Sequence, residues 1–221
     1  MTSRIALITD IHGNLPGLMT VWEDLRTQGC DRVICLGDLV DGGEHNNEVV
    51  RFVRDNDVPC VVGNHDENLA LDLAVDVRDF LSALPQSLTE GDVLYTHISP
   101  RPSQRKIVDA FEAWNVFDEH PHRLTFVGHA HIPLIFGQRS LHAATATDYP
   151  FRYNEPFMFE SVGSPFPSGR GFRGRSDRYV VAVGAVGYPR DGIRFPRYAI
   201  YDEDAQSVEM RLIDGPVLPY G

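Results

Sequence analysis

A chain of 221 residues and 24.8 kDa with 43% hydrophobic content can bury a sizeable core, and no Pro/Gly/Ser linker divides it, so one domain over residues 1–221 is expected. The formal net charge of −11 argues against non-specific nucleic-acid binding through a basic face. No apolar run approaches a membrane span, no signal-peptide core precedes the first strand, and Cys30, Cys35 and Cys60 lack paired spacing; reduced core cysteines in a cytoplasmic protein are the expectation.

In chain order, Ile5–Ile8 reads as a buried strand that ends in Asp10, His12 and Asn14. Leu15–Gly29 follows as a helix with Leu18, Val21, Trp22 and Leu25 on one face, ended by Gly29. Strand Arg32–Leu36 ends in Gly37-Asp38 and Asp41-Gly42, and a helix is expected over Asn46–Asp55. The run Val58–Val62 reads as a third buried strand, closed by Gly63-Asn64-His65-Asp66. A long helix is expected over Glu67–Leu84, with Leu69, Leu73, Val77, Phe80 and Leu81 in its stripe and Pro85 as its stop. Strand Val93–Tyr95 leads to His97, and Ser103–Phe117 reads as a helix with Ile107, Val108, Phe111 and Trp114 on its apolar side. Asp109, Glu112, Asp118 and Glu119 read as its solvated face. Strand Leu124–Val127 ends in Gly128-His129-Ala130-His131. Beyond it Pro133–Gln138, Tyr179–Val183, Tyr198–Tyr201 and Val208–Ile213 are β-like, around a long irregular insert at about 139–178. Strand–helix alternation followed by strands suggests two packed sheets with helices outside.

The chemistry sits at the strand ends. Asp10, His12, Asp38, Asn64, His97, His129 and His131 recur at intervals of roughly one strand plus one crossover, so they can converge on one edge. Seven mixed carboxylate, amide and imidazole groups exceed what one ion takes from a protein and suit two ions sharing a carboxylate, with Asp38 the natural bridge. Alternate residues of an extended strand point the same way, so Asp10 and His12 can reach one ion. His129 and His131 share that spacing, although they could be split between neighbouring ions. His65 follows a ligand directly and is better placed as a general acid, with Asp66 available to orient its ring. His45, His120, His122 and His142 lack such context and read as loop histidines.

Asp10-x-His12, Gly37-Asp38-x-x-Asp41-Gly42, Gly63-Asn64-His65-Asp66, His97 and Gly128-His129-x-His131 together resemble the motif set of the calcineurin-like metallophosphoesterases. Val186–Gly192 resembles a segment of the small bacterial members. The resemblance implies an α/β fold, a four-layer α/β/β/α sandwich of two mixed sheets, with a dinuclear site at the sheet edge. It implies two divalent transition-metal ions (Mn, Fe, Zn, Co or Ni). Asp10, His12, Asp38 and His131 would hold one, and Asp38, Asn64, His97 and His129 the other. His65 corresponds to the family's catalytic histidine. The partner implied is a phosphorylated small molecule or nucleotide, hydrolysed as a mono- or diester. Some members of the superfamily are binding scaffolds that have lost part of the site, whereas here every motif position is filled. Protein phosphatases of the superfamily carry arginine where Gly42 stands, so a phosphate-gripping guanidinium is missing there. Ser168–Arg175, with Arg170, Arg173 and Arg175, reads either as a solvated loop or as a substrate-gripping arm that replaces it.

Overall fold

A computed structural model describes residues 3–68, 70–101, 106–138, 145–160 and 178–219. The described residues form two mixed sheets with helices on their outer faces, the expected α/β/β/α layering. One sheet has the order β2 (Arg32–Cys35), β1 (Arg4–Ile8), β10 (Arg197–Asp202), β11 (Ser207–Leu212) and β8 (Pro156–Met158). The other runs β3 (Ser87–Glu90), β4 (Val93–Thr96), β5 (Leu124–Val127), β9 (Arg178–Val183), β6 (Pro133–Gln138) and β7 (Thr147–Asp148).

The pairing positions the site. β1 and β2 are parallel, Ile8 opposite Cys35, and β4, β5 and β9 are parallel, with Thr96 opposite Val127 and Val127 opposite Ala182. All five strands therefore end on one edge, where the side chains with metal-binding chemistry follow them. Buried β-branched and aliphatic residues on both faces of β1, β5 and β9 fit strands covered on each side. Alternation divides them between layers. Ile5, Leu7, Ile34, Tyr95, Phe126 and Val181 pack between the sheets, whereas Ala6 and Ile8 face α1 (Leu15–Thr27) and α2 (Asn46–Asp55).

The helices carry the corrections. α1 starts where expected, because the Asn14 side chain accepts the Gly17 N–H and Pro16 occupies the first turn. The helix expected over Glu67–Leu84 is only α3, Val75–Ser82. The chain before it turns instead, fixed by Arg78, whose guanidinium donates to the Leu71 and Leu73 carbonyls; Leu69 lies outside the described residues. The helix expected from Ser103 begins at Ala110 (α4, Ala110–Glu119). Asp109 accepts the Glu112 N–H at 2.8 Å while Glu112 accepts the Val108 N–H at 2.7 Å. Two acids read as a solvated face are thus a reciprocal cap. Phe111 is 72% exposed, and Ala113, Val116 and Phe117 are the buried face. Val58–Val62 is an irregular rim to β2, bridged through Cys35 and Cys60. The described part of the insert adds β8 to one sheet and β7 to the other, and it sends Tyr149 and Phe159 into the layer between them.

The sheets are also tied at an edge by charge. Arg32 of β2 donates to both oxygens of Glu90 of β3, at 2.7 and 2.5 Å. Those hydrogen bonds hold the Glu90 carboxyl below its ordinary value of 4.5. The folded-state pKa is depressed, so the stabilisation is present above pH 4.5 and is lost as pH falls through the lower folded value. Both side chains are 38% exposed, so solvent screening limits the effect; Glu90→Gln is expected to cost about 0.5 kcal/mol at neutral pH. In urea denaturation the gap between variant and wild type should narrow in acid. A gap of the same size at pH 7 and below pH 4.5 would remove the pair as its cause.

Candidate metal centre

The strand ends turn sharply. Asp10, His12, Asp38, His129 and His131 all have left-handed backbone, with φ of 52°, 53°, 55°, 63° and 58°. Asp10 and His12 therefore converge from a turn and not from an extended strand, which corrects the geometry expected for them. Backbone bonds enforce these turns. The Asp10, Ile11 and Gly13 N–H groups donate to Gly37, Asp38 and Leu39, and Gly128 N–H donates to His97. The two sheets join here, with Val186 and Gly187 N–H donating to Thr9 and Asp10.

Asp10, His12, Asp38 and His131 bring one atom each to within 4.8 Å of one another, and Asp38, His97 and His129 form a second such group. Asp38 belongs to both. Asp10 and Asp38 are fully buried, and His12, His97 and His131 are nearly so. Asn64 is exposed on the turn that follows Gly63. That turn lies against Asp38: the His65 N–H donates to Asp38 Oδ1 at 2.8 Å. A Cβ on Gly63 would lie 2.2 Å from both Asp38 N and Oδ1, so only glycine permits the approach.

The histidine rings test whether cations fit. The Nδ1 of His12 lies 2.8 Å from the Asp41 carbonyl, that of His97 2.7 Å from Leu36 and that of His131 2.6 Å from Tyr188. A carbonyl only accepts, so each Nδ1 carries a proton, and in the neutral ring each Nε2 presents a lone pair inward. His12 Nε2 and His131 Nε2 stand 3.3 Å apart, two lone pairs facing each other. Asp38 Oδ2 and His97 Nε2 are buried without a hydrogen-bond partner although they lie 3.1 Å apart. A cation between these atoms removes both repulsions, and carboxylate plus imidazole is a donor set that divalent ions take.

Electrostatics points the same way. Burial alone would raise the Asp10 carboxyl, but the imidazoles of His131, His97 and His12 hold it far below the ordinary value. Burial lowers His97, yet Asp38 and Asp10 push it up to about 9, so with no ion bound a second proton is favoured on that ring, in the place a cation would take. His129 is driven down to about 4 by burial and by His97.

Two groups differ from expectation. Asp66 does not orient His65. It is buried, and it accepts the Asp38, Leu39, Val40 and Gly63 N–H groups at 2.9, 2.8, 3.3 and 2.8 Å. Burial and the Asp38 charge push it up to about 6, against those N–H groups. The partner of His65 is Asp41, whose Oδ2 lies 2.8 Å from His65 Nδ1 and 3.0 Å from the Asn68 amide. Asp41 stood within the Gly37–Gly42 motif, so the signal was present without its target. Tyr188, beside His12 and His131 at ring distances of 6.1 and 6.2 Å, was also missed.

The family description "calcineurin-like phosphoesterase" matches residues 3–161. The chain belongs to that family. It is 28% identical to an uncharacterized protein of Methanocaldococcus jannaschii, over 94% of this chain and 86% of that one. A solved metallophosphoesterase from Sphaerobacter thermophilus superposes with a TM-score of 0.76 at 29% identity, covering 97% of this chain and 89% of that chain. A hypothetical protein from Pyrococcus horikoshii shares the fold at a TM-score of 0.66 and 15% identity, with 96% and 88% covered.

Asp66→Asn tests the nest of backbone donors. An amide keeps one acceptor oxygen and would aim an NH2 at backbone N–H groups, leaving them unpaired in a buried place. A destabilisation of about 1–3 kcal/mol is expected, together with weaker metal uptake measured by elemental analysis. Wild-type melting and wild-type metal content would show that the nest does not hold the site. Metal removal is the second test. An ion present at about a hundred times its Kd stabilises the fold by about 2.7 kcal/mol, so a chelator should lower Tm and added Mn²⁺ should restore it.

Proposed function

We propose that this calcineurin-like phosphoesterase is a dinuclear metal-dependent hydrolase of phosphate mono- or diesters. Asp10, His12, Asp38 and His131 would hold one divalent transition-metal ion and Asp38, Asn64, His97 and His129 the other, with His65 as general acid. The observation that carries the reading is Asp38, one buried carboxylate common to both groups of donor atoms. Mixed nitrogen and oxygen donors suit Mn, Fe, Zn, Co or Ni. When bound, such a pair of ions lowers the pKa of a water and offsets charge on the phosphoryl oxygens.

The chain's own residues supply the rest. His65 Nδ1–H donates to Asp41, which leaves Nε2 as the atom that hands a proton to the departing oxygen. Its side chain is 35% exposed, so substrate can reach it, and its ring meets His12 edge-on at 4.8 Å, beside the first group of ligands. Asp41 is held below the ordinary carboxyl range, first by the hydrogen bond from His65, and so stays an acceptor that orients the ring. As water attacks phosphorus, the phosphorus–oxygen bond to the leaving group breaks and that oxygen takes the His65 proton. A phosphorylated small molecule or nucleotide is the substrate class in this reading. A cytoplasmic setting is part of it, supported by three unpaired cysteines. Among the described residues no helix is long and apolar enough to cross a membrane.

A panel of phosphomonoesters, phosphodiesters and nucleotides on metal-reconstituted protein tests the reading, which fails if both ions bind and nothing is turned over. Within it, His65→Asn should keep metal stoichiometry and lower kcat by roughly 10²–10⁴. The loss should shrink for nitrophenolate esters, whose leaving group needs little protonation. Equal losses for good and poor leaving groups would contradict the acid role.

A further inference from the structure

The site described so far is strongly acidic. Asp10, Asp38, Asp41 and Asp66 surround it in a chain of net charge −11, yet its proposed substrate is an anion. The guanidinium that protein phosphatases place after the aspartate of this motif would bring strain at position 42. Gly42 has φ 151°, and a Cβ there would meet His12 Cβ at 3.1 Å, His12 O at 3.3 Å and Leu218 at 3.3 Å. The arginines at 170, 173 and 175 lie outside the described residues.

One described loop carries an arginine whose backbone is bonded to a ligand-bearing turn. Gly184–Gly192 leaves β9 and is bonded directly to the ligand-bearing turns. Gly187 N–H donates to the Asp10 carbonyl, the Tyr188 carbonyl holds His131 Nδ1, and Arg190 N–H donates to the His131 carbonyl at 3.2 Å. Arg190 and Asp191 are adjacent opposite charges, but they do not pair. Asp191 is taken by the fully buried Arg197, whose Nη2 lies 2.5 Å from Asp191 Oδ1 and 2.9 Å from the Ile193 carbonyl. Tyr153 donates to the other Asp191 oxygen at 3.2 Å. Arg190 is exposed, and among the described residues no acceptor is paired with its guanidinium.

We propose that Arg190 is the phosphate-gripping cation of this site, left free because Arg197 sequesters Asp191, and that it replaces the guanidinium missing at Gly42. The inference rests on the phosphoesterase reading above. Arginine's planar fork gives two parallel bonds to phosphate oxygens, which a lysine cannot reproduce. The anchor of the loop is its backbone, so truncating the side chain leaves the bond from residue 190 to His131 in place.

The experiment measures binding of inorganic phosphate to metal-loaded protein by calorimetry, alongside KM for an aryl phosphate and metal content by elemental analysis. Arg190→Ala is expected to weaken phosphate binding and raise KM by about 10- to 100-fold, with metal content unchanged. Arg190→Lys should recover part of that loss, and Arg26→Ala, an exposed arginine in the last turn of α1, at the end away from the ligand-bearing turns, should change nothing. Wild-type phosphate affinity and KM in Arg190→Ala would overturn the proposal. So would loss of metal in proportion to loss of phosphate, since that would make Arg190 a support of the ligands. If the wild type turns over no phosphoester, the phosphoesterase reading fails, and the phosphate titration still decides the fate of Arg190.

Discussion

The Asp66 carboxylate is the constraint on which the site's construction rests. One buried side chain gathers four backbone N–H groups, three from consecutive residues Asp38–Val40 and one from Gly63. It ties the loop after β2 to the turn that carries Asn64 and His65. Left-handed backbone costs on the order of 1–3 kcal/mol per non-glycine residue and persists only where the surroundings over-determine it. Asp38 and Asp41 are both in that state, within or next to the loop that Asp66 clamps. The same logic applies across the edge. Asp10 and His12 are held by donation into the Asp38 loop, and His129 by its N–H to the Asp10 carboxylate at 3.0 Å. Each strained position leans on another, so the ligands are fixed as a set.

That set is electrostatically unfinished in the chain alone. Buried carboxylates are costly unless paired, and the histidines facing them have already committed their ring protons to backbone carbonyls. Two features follow from one cause. Fixed tautomers leave lone pairs inward, and lone pairs beside Asp10 and Asp38 create demand for cations where the two sheets meet. The rise of His97 and the fall of His129 express the same competition: one ring can carry positive charge near Asp38, and its neighbour is then denied it.

Much of this was legible in the chain. Ile5–Ile8, Arg32–Leu36 and Leu124–Val127 are short apolar runs that end in turn or ligand residues, and a strand with a parallel neighbour, buried on both faces, has few other signatures. The spacing of Asp10, Asp38, His97 and His129 carried the topology, because each crossover returns the chain to the same edge. What was not legible depends on direction. In an extended chain Asp66 would sit beside His65 and orient it, but the turn through Gly63–Glu67 sends Asp66 into the core and leaves Asp41 to His65. The third helix was overread since Leu73, Val77 and Leu81 keep helical spacing while the Arg78 guanidinium captures the carbonyls before it. Asp109 and Glu112 misled because acids on a helix look alike whether solvated or capping until their partners are known.

The parts without obvious chemistry close the arrangement. The C-terminal stretch returns to the site edge, where Leu218 N–H donates to the Gly187 carbonyl and the Pro216 carbonyl accepts from Asn14. Asn14 also caps α1, so one side chain links that helix, the tail and the turn bearing His12. Arg197 acts likewise from below, its backbone N–H bonded to Ala185 and its side chain to Asp191 and Tyr153. The loop after β9 is thereby gripped by β10, by the tail and by residues of the insert. A loop beside a binding site would ordinarily be drawn from the least stable part of a fold. Here its carbonyl at Tyr188 sets the tautomer of His131, and a loop with that duty can tolerate little motion.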